Sequence, residues 1–150
     1  MIKDALLAYL HYIAIIVMFA FLTVQIVLLR RPIDAGAARL LARCDMWFGG
    51  ASALILFTGL MRVFMGAKGS AFYAGNPVFW VKVGLFLVAG LVSIRPTIQF
   101  MRWSKQAAKD VGFVVEQAEQ KRMRLYLMLE IHLLALVPLL AALMARGIGH

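Results

Sequence analysis

The stretch ALLAYLHYIAIIVMFAFLTVQIVLL, residues 5–29, runs for 25 residues without an Asp, Glu, Lys or Arg. A helix rises about 1.5 Å per residue, so roughly 20 such residues cross the roughly 30 Å hydrocarbon core of a bilayer. The run is too long for the apolar core of a signal peptide, and Arg30-Arg31 follow where a small-residue cleavage site would lie. It reads as a retained spanning helix. Segments 46–65, 78–100 and 125–145 have the same character.

The rest of the composition agrees. Of the 150 residues 63% are hydrophobic and 15% charged, and mean hydropathy is +0.86. A soluble domain is typically about 45–50% apolar and about 25% charged. The expected fold is all-α: one transmembrane helical domain over residues 1–150, four helices in a bundle, with lipid as the principal partner. The net charge of +9 would suggest nucleic acid in a soluble chain. Here the basic residues flank apolar spans, as membrane topology and anionic lipid headgroups require, so no nucleic-acid partner is expected.

Counting cations orients the bundle. Arg30, Arg31, Arg39, Arg43, Arg95, Arg102, Lys105, Lys109, Lys121, Arg122 and Arg124 lie in or beside two connections, against five elsewhere: Lys3, Arg62, Lys68, Lys82 and Arg146. The positive-inside rule makes both basic connections cytoplasmic, including a loop at about 104–122, and puts both termini outside. Tyr9, Tyr12, Tyr73 and Trp80 mark the outer interface, and Trp47, Trp103 and Tyr126 the inner one. The connection 66–77 reads as an ordered turn, and 104–121 as a solvated helical extension broken near Gly112. Small residues four apart, Gly49/Ala53, Ala89/Ser93 and Ala141/Ala145, allow close approach of helices or of a second copy. Cys44, the single cysteine, excludes an intrachain disulfide and a thiolate cluster.

Ionisable groups are costly in a bilayer, so their depths are informative. At about 1.5 Å per residue, His11, Arg62 and Lys82 all fall about 9–10 Å outside the midplane. His11, Met18 and Gln25 repeat every seven residues as one stripe. Arg62 stacks on Thr58, Gly59 and Ile55, and Lys82 on Phe86, Ala89 and Ser93. Two readings fit: a binding site made by three helices, with His11 as a metal ligand, or two cations snorkelling to outer headgroups beside a histidine in a helix contact. On the inner side Arg95, Gln25 and Glu130 share a depth, and an Arg95–Glu130 pair joining helices three and four is expected to be structural. His132 lies about 13 Å from the level of His11, which argues against ligation of one haem by both. It reads as a packing histidine. The nine methionines, with Met61 and Met65 on one face, admit copper, a soft metal suited to thioethers, as well as ordinary packing. No nucleotide-binding glycine loop, zinc-spaced His/Cys set or nucleophile elbow is present.

The runs FYAGNPVFWVK (72–82), LVSIRPTIQFMRW (91–103) and PLLAALMARGIG (138–149) resemble an uncharacterised bacterial family of four-helix predicted membrane proteins, a domain of unknown function. That resemblance covers nearly the whole chain. It extends to the copper-resistance protein D membrane domain and to the bacterial membrane-bound protoporphyrinogen oxidase, which is similar in its Leu-His pair (Leu10-His11), its Val-Lys pair (Val81-Lys82) and a fourth-helix Glu (Glu130). The oxidase's first-helix His is implicated in binding b-type haem, which implies His11 here. Met18, Ile26-Val27 and Ser93 stand where the oxidase has Trp, Pro-Arg and His, which argues against porphyrinogen oxidation. Taken with the cation count and the level shared by His11, Arg62 and Lys82, the resemblance implies a bacterial inner-membrane protein with periplasmic termini, binding haem b or a related porphyrin through those three residues. Copper handling and a non-catalytic scaffold or assembly role are the alternatives.

Overall fold

In lipid every backbone N–H and C=O must be paired within the chain, which leaves helices as the economical way to cross. The computed structural model describes residues 2–65 and 69–149. It contains α1 (Ile2–Leu28), α2 (Ala35–Met65), a short α3 (Gly69–Ala74), α4 (Pro77–Ala107) and α5 (Gln117–Ala145). The four long helices are each long and apolar enough to cross a membrane. They form an up-down-up-down bundle in which α1 packs on α2, α2 on α4, α4 on α5, and α5 back on α1. Large apolar side chains on the outside, such as Ile16, Phe64 and Leu91, are 63–70% exposed. In water that would be a liability; here it is the lipid-facing surface.

The helices outrun the expected spans. α2 begins at Ala35 rather than near residue 46, because Asp34 supplies a cap: its Oδ1 accepts from Ala37 N–H at 2.8 Å. Much of the first basic connection is therefore helix. The 66–77 connection, expected as a turn, contains α3; Gly66 and Lys68 lie outside the described residues. Asn76 is fully buried and caps α4, accepting from Val78 N–H at 2.8 Å. Pro77 opens that helix, where its missing N–H costs nothing. Gly112 does fall in the break between α4 and α5, where its N–H meets Asp110 Oδ1 at 2.9 Å.

The two basic connections are stitched together. Val115 N–H donates to the Ile33 carbonyl at 3.0 Å, and Asp34 and Val114 form an isolated antiparallel bridge. Gln120 Nε2 reaches two carbonyls, of Leu29 at 2.9 Å and Arg31 at 2.5 Å. Beneath them Leu29, Ile33, Leu41, Phe100, Trp103 and Met123 are buried. The opposite end carries the chain termini, where the Asn76 side chain donates to the Ile148 carbonyl at 3.4 Å. Gly149 there has φ +98°, and a Cβ on it would come within 2.5 Å of Asn76 Oδ1, so glycine is needed both for conformation and for space.

Candidate functional site

Two polar clusters interrupt the apolar interior. At the terminal end, His11 Nδ1 lies 2.8 Å from Thr58 Oγ1. Gly59 lies beside the ring, where a Cβ would sit in ordinary contact with His11 Cε1 at 3.5 Å. Thr58 is 1% exposed, and its hydroxyl lies 2.6 Å from the Leu54 carbonyl one turn back. A hydroxyl has one proton. With that proton given to Leu54, the oxygen is free to accept from the ring, and a neutral His11 protonated at Nδ1 would carry its lone pair on Nε2; the Ile55 carbonyl also lies within reach of the ring. The sequence alone placed Thr58 in the stripe but gave it no such role.

Arg62 and Lys82 are both close enough to His11, and to each other, to interact electrostatically. The Arg62 guanidinium lies 5.8 Å from the centroid of the Tyr12 ring, and the Lys82 ammonium 5.2 Å from that of Phe79. Among the described residues, aromatic rings rather than side-chain carboxylates stand beside both cations. The structure brings His11, Arg62 and Lys82 to one end of the bundle, each half-buried.

The second cluster lies toward the loop end. Gln25, Asp45 and Glu130, from α1, α2 and α5, are all buried. Among the described residues, neither amide atom of Gln25 nor Oε1 of Glu130 has a hydrogen-bond partner. Thr97 on α4 faces Asp45, and the Asp45 charge reaches Glu130. Asp45 and Glu130 line a cavity of about 730 Å³ between α2 and α4, backed by α5.

The expected Arg95–Glu130 pair does not form. Ser93 and Thr97 line the cavity; Arg95, two residues from each, projects about 200° away and is exposed. His132 is also on the exposed face, with Nδ1 2.5 Å from the Met128 carbonyl of its own helix. Asp45 escapes the apolar-span pattern, because it lies just outside segment 46–65. Extending the α2 periodicity back from Phe48 and Ser52 would have placed it on their face. Among the described residues no group of three or more His, Cys, Asp or Glu is arranged to hold a metal ion.

Four long apolar helices around a mostly apolar core with two polar clusters define a multi-pass integral membrane protein. The chain belongs to the family described as "Predicted membrane protein (DUF2214)", whose model matches residues 3–149. No curated protein and no solved structure matches it.

Proposed function

We propose that this protein sits in a bacterial inner membrane, termini on the periplasmic side, and binds b-type haem or a related porphyrin at its terminal end. The observation that carries the reading is the hydrogen bond from His11 to Thr58. Ligating histidines usually donate their second ring N–H to a fixed acceptor, which sets the tautomer and orients the ring. Thr58 is such an acceptor, and it leaves Nε2 as the free base. Arg62 and Lys82 supply the cations that two propionate carboxylates would need, and the Tyr12 and Phe79 rings beside them suit a flat apolar macrocycle. Haem would bring redox or ligand-binding chemistry; His11 would offer it a ring nitrogen, and Arg62 and Lys82 would neutralise its carboxylates.

The test is an absorption titration of detergent-purified protein with haem. A Soret band saturating at one haem per chain is expected, and His11→Ala should abolish it. Thr58→Val keeps the shape but removes the acceptor, and should weaken binding by roughly 10–100-fold. Absence of the band, or its persistence in His11→Ala, would sink the proposal. Stoichiometric copper by elemental analysis, lost on changing Met61 and Met65, would favour copper handling instead.

A further inference from the structure

We infer that the groove between α2 and α4 binds a single-chain anionic amphiphile carrying a hydroxyl where head meets tail, as a lysophospholipid does. This site is separate from the His11 cluster and independent of the haem reading. Its volume, about 730 Å³, is that of a site for one drug-sized molecule, for which about 300–1,000 Å³ is usual. Its lining runs along α2 from Arg39 to Ser52, about 20 Å at 1.5 Å per residue. That is the depth of one leaflet, half of the roughly 40–45 Å bilayer.

The chemistry of the lining is graded along that length. Arg39, Arg43 and Lys105 stand at the loop end, with the Ser104 hydroxyl among them. Three cations at a headgroup level match a phosphate. Farther in, Phe86, Gly90 and Leu134 make an apolar wall. Cβ atoms built on Gly49 or Gly90 would meet nothing within 4 Å, so the absent side chains leave room that the helices do not close. Between the two zones lie two buried carboxyls, Asp45 and Glu130; Thr97 faces Asp45, whereas Glu130, 1% exposed, keeps Oε1 without a partner among the described residues. A hydroxyl both donates and accepts, so it satisfies this carboxyl in either protonation state. An ester carbonyl at the same point could not. The cations fix the head, Glu130 fixes the hydroxyl beside it, and the tail runs over Gly90 toward the membrane centre.

The experiment counts bound lipid on the full chain in detergent by native mass spectrometry. The probe is 1-oleoyl-lysophosphatidic acid, compared with oleyl phosphate, which lacks the hydroxyl, and with zwitterionic oleoyl-lysophosphatidylcholine. One molecule per chain is expected, with the order lysophosphatidic acid tightest and both comparators weaker. Gly90→Phe should abolish the adduct. Arg43→Ala, at an exposed position, should weaken it by about fivefold, the equivalent of about 1 kcal/mol per surface cation. Glu130→Leu should erase the preference over oleyl phosphate. Should Gly90→Phe not fold, Gly49→Phe obstructs the same groove. Equal binding of all three lipids, or an undiminished adduct in a helical Gly90→Phe or Arg43→Ala protein, would overturn the assignment.

Discussion

Replacing Trp103 with Ala is expected to destabilise the protein by about 3–5 kcal/mol, the usual cost of deleting a large buried aromatic. Trp103 is 1% exposed and packs on Phe100 with ring centroids 5.6 Å apart. Its place in the bundle makes the estimate applicable. Deep in hydrocarbon, helix association gains little from apolar burial, since lipid tails are as apolar as the side chains. Trp103 lies instead at the loop end, beneath the junction where Val115 bonds to Ile33 and Gln120 to Leu29 and Arg31. The medium outside that end is headgroup and water, so burial there has its ordinary value. Reversible unfolding in mixed micelles, followed by circular dichroism, measures the change. A loss below about 1 kcal/mol would mean that the loop end is not a packed core, and the stitching of the two connections would lose its significance.

Gln25→Met is expected to act in the opposite direction, stabilising the fold by about 2 kcal/mol. Gln25 is 0% exposed, and among the described residues neither its amide nitrogen nor its oxygen has a partner. Leaving a buried polar group unsatisfied costs about 1–3 kcal/mol, so replacing it with an apolar side chain of similar length removes a penalty without opening a cavity. The same unfolding measurement decides. If Gln25→Met proves less stable than the parent, the amide is paired in the membrane, with a bound water or a ligand as its partner. A stabilised variant that keeps both haem and lipid binding would mark Gln25 as dispensable to either site. A stabilised variant that loses one of them would show that the polar stripe His11–Met18–Gln25 is retained for function at the expense of stability.

The polar clusters divide along the same line between local and tertiary information. The level shared by His11, Arg62 and Lys82 was legible from span midpoints, because depth along a spanning helix is sequence position multiplied by a fixed rise. Arg95 and Glu130 share a level too, yet they do not meet. Depth sets only one coordinate. The azimuth of Arg95 is fixed by the face of α4 that turns Ala89 and Phe100 into the core. Asp45 was missed for a different reason: hydropathy finds the apolar part of a helix and is silent about the polar turns that extend it toward the headgroups.

Hydropathy and helical rise by themselves determined that the chain crosses lipid four times and folds as a helical bundle, since a backbone in hydrocarbon has almost no other way to pair its polar groups. The start of α2 at Ala35, the placing of the Thr58 hydroxyl against His11 Nδ1, and the sharing of one open groove by Asp45 and Glu130 were decided only when the helices packed. These depend on which azimuth of each helix faces which neighbour, and that follows from side-chain interlocking between distant segments rather than from any local pattern.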